Sequence, residues 1–129
     1  MRRIIERFED LEVWQKAVDL VVEVYSMTDS GRLRTDYDSK SQIRRAAMSI
    51  SNNIAEGFEY NNNREFIRFL KYAKGSAGEV RNQLHLLKRI GYIGNHQFDE
   101  LYRRTVELSQ QIANFMKYLN HFENHKSKK

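Results

Sequence analysis

Apolar residues recur along much of the chain at alternating steps of three and four positions, the spacing of one face of an α-helix. Four such stretches predict helices over residues 10–27, 39–56, 63–90 and 95–122, followed by a disordered tail at 123–129. No segment alternates every second residue, as a half-buried strand does. The third and fourth helices have the longest apolar faces, formed by Phe66, Leu70, Ala73, Ala77, Val80, Leu84 and Leu87, and by Phe98, Leu101, Thr105, Leu108, Ile112, Phe115, Leu119 and Phe122.

Polar residues and glycines separate the predicted helices. Ser39 starts a capping-box spacing for the second helix, and Asn62 followed by Glu65 can cap the third. Gly57 and Gly91 stand where a glycine commonly takes the left-handed conformation that ends a helix. Because the last turn is very short, the two long helices must be antiparallel. The predicted fold is all-α, a single up-down-up-down antiparallel four-helix bundle over residues 1–129.

The composition sets limits on the class of protein. The 129 residues include neither proline nor cysteine, which favours uninterrupted helices and excludes disulfides, thiolate metal sites and a cysteine nucleophile. The N-terminal segment lacks the apolar core of a secretory signal, and no apolar run approaches the roughly 20 residues of a membrane span. These features predict a cytoplasmic protein without a membrane partner.

The positive charge is concentrated in the third helix. Between residues 60 and 91, seven basic residues face two acidic ones, a net +5 that equals the formal charge of the whole chain. The pattern predicts phosphate contacts with RNA or DNA, without sequence-specific readout. The alternative is that these are solvated faces, or that they pair with the acidic first helix of a neighbouring copy. The seven residues, called here the basic stripe, are Arg64, Arg68, Lys71, Lys74, Arg81, Lys88 and Arg89; Arg44 and Arg45 are expected to extend them from the second helix.

Two glycines lie inside the third helix, although each interior glycine lowers the stability of a helix by roughly 0.5–1 kcal/mol relative to alanine. Gly75 and Gly78 therefore need a reason, either the close approach of another helix or that of a phosphate. Helix packing, within the bundle or between copies, is the favoured interpretation. On the second helix, Ser49, Asn53 and Glu56 flank the apolar face, and we expect Asn53 and Glu56 to be structural.

The sequence contains no pattern that indicates an enzyme. His121 and His125 have metal-ligand spacing, but no third ligand accompanies them, and no Glu-x-x-His pair of a di-iron bundle is present. Gly75-Ser76-Ala77-Gly78 lies inside a helical pattern without a preceding strand, so it is not a P-loop. We predict no catalytic residue, no metal, no cofactor and no small-molecule substrate.

The second helix contains the blocks Gln42-Ile43-Arg44-Arg45-Ala46-Ala47, Ser49-Ile50 and Asn53-Ile54-Ala55-Glu56-Gly57. These blocks, with further matches in the other three helices, resemble one protein family, the four-helix-bundle proteins encoded in intervening sequences of bacterial 23S rRNA genes. The chain departs from the family in two places. The connection 28–38 has no proline, and Gly78 and Val80 stand where leucines are usual. The family motif, expected to be structural, comprises Ser49, Asn53, Ile54, Ala55, Glu56, Gly57, Ser76 and Glu79.

The resemblance implies a ring-like homopentamer with a role in nucleic-acid or ribosome association and no assigned activity. The family is also similar to accessory proteins of diversity-generating retroelements, which bind nucleic acid and a reverse transcriptase. The resemblance thus leaves open a second function, a scaffold or accessory subunit that docks a nucleic-acid-processing protein. Self-association is also indicated by more tyrosines than one small bundle can bury, namely Tyr60, Tyr72, Tyr92, Tyr102 and Tyr118.

Overall fold

A computed structural model describes residues 5–127, with side chains as far as residue 123. Four helices make up the fold: α1 (Glu12–Thr28), α2 (Tyr37–Glu59), α3 (Asn63–Arg89) and α4 (Asn95–Ser127). Short 3-10 turns at Phe8–Asp10 and Gly31–Arg34 precede α1 and α2, and the described residues contain no strand. The all-helical, four-helix prediction is confirmed.

Each helix packs against two neighbours around one core. The α1 helix lies against α2 and α4, and α3 lies against the same two helices from the opposite side. Side-chain contacts show that sequential helices are antiparallel: Ser76 of α3 meets Ser49 of α2, and Phe66 of α3 meets Phe115 of α4. The apolar faces predicted from the sequence meet in the middle, where Ile50, Ile54, Leu84 and Ile112 are fully buried.

Several helix ends differ from the sequence prediction. The α1 helix begins at Glu12, after the 3-10 turn, rather than at residue 10, and α2 begins at Tyr37 rather than at residue 39. Asp36, rather than Ser39, caps α2, because its carboxylate accepts the Ser39 N–H at 3.2 Å. At its other end α2 continues beyond residue 56 to Glu59. The α4 helix continues to Ser127, so a disordered tail from residue 123 is wrong for residues 123–127; Lys128 and Lys129 lie outside the described residues.

The sequence predicted that Gly57 ends α2 in the left-handed conformation, and this prediction is wrong. Gly57 lies inside the helix where α2 and α3 are in close contact, so that an added Cβ would stand 2.6 Å from Phe69 Cβ and 3.1 Å from Phe66 Cδ1. The positive φ of this turn belongs instead to Asn61, at 53°. Gly57 is therefore required for close packing rather than for its backbone angle.

The predicted terminator of α3 is confirmed. Gly91 has a φ of +82°, its N–H bonds to Lys88 O at 3.1 Å, and the Tyr92 N–H bonds to Leu87 O at 2.9 Å. This pair of hydrogen bonds is the Schellman motif, which satisfies the last carbonyls of a helix.

Tyr92, at the α3–α4 turn, ties this turn to the α1–α2 connection. Its hydroxyl donates to Asp36 Oδ2 at 2.8 Å, and Arg32 lies over its ring while donating to Gly91 O at 3.0 Å. The hydrogen bond from Tyr92, followed by that from the Ser39 N–H, lowers the pKa of the Asp36 carboxyl. One carboxylate thus both caps α2 and joins two loops at the same end of the bundle.

None of the helices in the described part of the chain is long and apolar enough to cross a membrane.

Candidate nucleic-acid interface

The outward face of α3 carries three cations with no carboxylate partner. Arg64, Lys71 and Arg89 are exposed, and none of them forms an ion pair with any described residue. They share one face because steps of seven and eighteen residues correspond closely to whole numbers of helical turns. An anion approaching from solvent would therefore meet their charges directly.

Arg68, on the same face, is already paired. Its guanidinium donates to both carboxylate oxygens of Glu65, at 2.9 and 3.0 Å, and to the Tyr72 hydroxyl at 3.3 Å. These bonds lower the pKa of Glu65 and raise that of Arg68. The pair is neutral, so six basic residues and one acidic residue remain and the local net charge of +5 is unchanged.

Lys74, Arg81 and Lys88 form a second row on the side of α3 that faces α4. The Lys88 ammonium lies 4.5 Å from the centre of the Phe98 ring, and the Arg81 guanidinium lies 6.0 Å from that of Tyr102. Arg81 Nε is buried and has no hydrogen-bond partner among the described residues. This row therefore combines cations with aromatic rings, whereas the outward face presents cations alone.

Arg44 and Arg45 have different environments. Arg45 is exposed, as expected. Arg44 is partly buried: it donates to Thr28 Oγ1 at 2.8 Å, lies 4.0 Å above the Tyr25 ring and approaches Asp29 at 3.9 Å. Because the end of α1 engages its donors, Arg44 is less available to an anion than Arg45, and its part in the basic surface stays a prediction.

The family motif lies where α2 and α3 meet. Ser76 Oγ donates to Ser49 Oγ at 2.9 Å, and Asn53 Nδ2 donates to the Ser49 carbonyl and hydroxyl oxygens at 2.7 and 3.0 Å. Ile54 is fully buried, and Ala55 is half-buried. Glu56 and Glu79, by contrast, are exposed and pair with no described cation, so the structural role expected of Glu56 stays a prediction.

Gly75 and Gly78 are not explained by packing within the chain. A Cβ added at either position would have no atom of another residue within 4 Å beyond its own helix, among the described residues. The expected approach of another helix inside the bundle is therefore wrong. What remains is contact with a second copy or with a phosphate.

Replacing Gly75 and Gly78 with alanine, singly and together, is expected to raise the free energy of unfolding by about 0.5–1 kcal/mol for each site. Alanine removes backbone freedom from the unfolded chain, and there is open space for the added methyl groups. Urea unfolding at a fixed protein concentration measures the change. A fall in stability would contradict the expectation, and would mean that another molecule packs against these glycines in the folded protein.

Three of the five tyrosines predicted to remain outside the core are indeed about half exposed. These are Tyr60, Tyr72 and Tyr118, at 52%, 50% and 53%. Tyr92 and Tyr102 are instead partly buried, by the loop contacts of Tyr92 and by the ring contacts of Tyr102 with Phe98 and His85. Exposed tyrosine rings at several positions leave apolar surface that a second molecule can cover.

The surface chemistry of α3 fits anion binding. Ammonium and guanidinium groups attract phosphates, and they supply neither a nucleophile nor a proton acceptor at neutral pH. Within the described side chains, no three histidine, aspartate or glutamate residues cluster as metal ligands would; the side chain of His125 lies outside that part.

Comparison with known proteins places the chain in a family. The model of the 23S rRNA-intervening sequence proteins matches residues 9–114, most of the chain. The chain belongs to this family. It is also similar to the crystal structure of a protein of unknown function from the S23 ribosomal protein family of Bacteroides thetaiotaomicron VPI-5482. The two chains are 25% identical, with a TM-score of 0.74 and a match that covers 81% of this chain and 98% of the other. No functionally curated protein matches the sequence.

The departures from the pattern of the 23S rRNA-intervening sequence family are accommodated in the fold. Val80 is fully buried, so it fills a core position where leucine is usual. Gly78 is half-buried and faces open space. The connection without proline is shaped instead by the 3-10 turn at Gly31–Arg34, whose Leu33 is buried in the core.

Sequence reasoning missed two clusters in this member of the family. One is His85 with Phe98 and Tyr102, between α3 and α4. The other is Tyr37, which is 72% exposed, with Lys40 positioned 5.4 Å from its ring. The sequence could have predicted the contact of Tyr37 with Lys40, because residues three apart are neighbours on a helix. It could not have predicted the cluster of His85, because that cluster depends on how α4 is aligned along α3.

Proposed function

We propose that this member of the 23S rRNA-intervening sequence protein family binds RNA or DNA through phosphates, without sequence preference and without catalysing a reaction. The observation that carries the proposal is the set of cations on the outward face of α3, Arg64, Lys71 and Arg89, that pair with no carboxylate in the described part of the chain. The row Lys74, Arg81 and Lys88 lies beside them. Polyanions that meet such a face release their counterions, and this release favours binding. The family description makes ribosomal RNA a natural first ligand to test.

Equilibrium binding of labelled RNA and DNA at several salt concentrations tests the proposal. If about six phosphates are contacted, the affinity for a duplex should fall roughly 1,000-fold between about 50 and 200 mM salt, with similar affinities for unrelated sequences. Absence of binding at low salt would contradict the proposal.

We also propose that the protein self-associates, as the homopentamer that the family resemblance implies. Besides the exposed tyrosines, Leu86 and Ile90 are 54% and 53% exposed in a groove between α2 and α3. The same groove is lined by Gln83, whose Oε1 is buried and has no partner among the described residues. A docked chain could remove the two apolar side chains from water and donate a hydrogen bond to this oxygen.

Light scattering after size-exclusion chromatography tests the copy number. A pentamer of 15.4 kDa chains has a mass of about 77 kDa. The double variant Leu86→Ser with Ile90→Ser is expected to lower that mass, and Val22→Ser on α1, which removes an equally exposed apolar side chain outside the groove, serves as the control. A monomer mass for the unaltered chain would contradict self-association, and another oligomer would contradict only the number.

The same groove also favours a second candidate function, a non-enzymatic scaffold in the cytoplasm that docks a nucleic-acid-processing protein such as a reverse transcriptase. This function predicts that the groove variant keeps its mass and its nucleic-acid affinity while it loses the partner protein. The mass measurement therefore separates the two uses of the groove.

A further inference from the structure

Between α3 and α4, an exposed histidine contacts two aromatic rings. The His85 ring centre lies 5.0 Å from that of Phe98 and 5.1 Å from that of Tyr102, and Phe98 and Tyr102 stack on each other at 5.1 Å. Phe98 is buried and Tyr102 half-buried, which leaves His85 as the exposed member of the cluster. The imidazole plane is inclined to the Phe98 ring by 56° and to the Tyr102 ring by 72°, so His85 is stacked on neither ring but is held between α3 and α4 by contacts with both.

Cations border this aromatic cluster on both sides along α3. Arg81 lies one turn before His85 and Lys88 lies one turn after it, each close to one of the rings. Neither pairs with a described carboxylate, and Glu100 on α4 is occupied by Arg103 and Arg104 at 2.9 and 3.0 Å. The site thus offers a ring face together with two positive charges that pair with no carboxylate among the described residues.

The spacing of the cations suits a polymer. Lys74, Arg81 and Lys88 recur every seven residues, which is about 10 Å along the helix axis, so the row spans roughly 21 Å. A free nucleotide could reach one or two of these charges, whereas a strand carries phosphates along the whole row. The bases of a duplex are stacked on each other and cannot present a face to His85, but unpaired bases can.

We infer that the His85–Tyr102 cluster is a stacking platform for unpaired bases of single-stranded RNA or DNA, whose phosphates contact Arg81 and Lys88. The inference rests on the nucleic-acid binding proposed above and adds the form of nucleic acid that this face selects. Stacking on an aromatic surface tolerates any base, because every base has a π face. The platform therefore favours single strands over duplexes but does not distinguish one base sequence from another.

Binding of two single strands with the same number of phosphates tests the inference, one strand carrying bases and the other abasic throughout. The unaltered protein is expected to prefer the base-bearing strand by roughly 5- to 150-fold, the range for one stacked base. His85→Ala should abolish this preference, and His85→Phe should restore it by returning a ring. His96→Ala is the matched control, since His96 is also an exposed histidine but has no ring contact among the described residues.

A fluorescent base supplies a second readout that a purely structural role of His85 would not change. A strand containing 2-aminopurine should lose fluorescence on binding to the unaltered protein and to His96→Ala, but not on binding to His85→Ala. Deoxyribose and ribose versions of the strand show whether one sugar is preferred. Equal affinity for the base-bearing and abasic strands would overturn the platform alone, and binding of neither strand would overturn the proposed function as well. A preference that persists in His85→Ala would place the stacking elsewhere and overturn the assignment.

Discussion

Replacing Arg64, Lys71 and Arg89 together with glutamate is expected to weaken binding to RNA and DNA by at least roughly 100-fold at low salt. Each change removes one exposed cation of α3 that has no carboxylate partner among the described residues, and puts a negative charge in its place. The slope of log affinity against log salt should become shallower by about one for each lost phosphate contact. Fluorescence anisotropy of labelled duplex and single strands at several salt concentrations measures both quantities.

A matched triple variant separates this surface from net charge. Lys16→Glu, Arg34→Glu and Lys117→Glu also change three exposed basic residues, and take the formal charge from +5 to −1 as the first variant does, but none of them lies on α3. Binding should fall much less in this control. An equal loss in both variants would mean that overall charge, rather than the α3 face, drives the interaction.

Replacing Gly57 with alanine is expected to lower the free energy of unfolding by about 1–3 kcal/mol, the range for overpacked cores. The new methyl carbon would stand 2.6 Å from Phe69 Cβ, an atom that cannot rotate away because it is attached directly to the α3 backbone. The two helices must then separate, which disturbs the ring contact of Phe58 on α2 with Phe66 on α3. Urea unfolding at a fixed protein concentration gives the change in stability.

Gly78→Ala is the control for this substitution. It adds the same methyl group inside a helix, but in open space, and is expected to stabilise the chain rather than destabilise it. A Gly57→Ala variant with an unchanged unfolding midpoint and slope would show that α2 and α3 can separate without loss, and would contradict the packing explanation.

For most of the site, the sequence predicts which charged residues α3 contains but not which of them are free to bind an anion. The basic excess of α3 is visible without a structure, but the pairing state of each cation is not. Arg68 is neutralised by Glu65 three residues away, a local contact that helical spacing alone makes possible. Arg44 is engaged by Thr28 and Tyr25, sixteen and nineteen residues away in sequence, and only the folded chain brings these groups together.

The sequence by itself determined the four helices, their order and the stop signal of α3. Apolar periodicity, the Asn62 cap and the positive φ of Gly91 depend on residues within a few positions of each other, so local physics is sufficient. The tertiary structure alone decided how the helices are aligned along one another. That alignment brings Gly57 onto Phe69, leaves Gly75 and Gly78 facing open space, and places His85 against Phe98 and Tyr102. The physical reason is that the apolar face of a helix specifies which side is buried, whereas the alignment depends on how the side chains of two distant helices interlock.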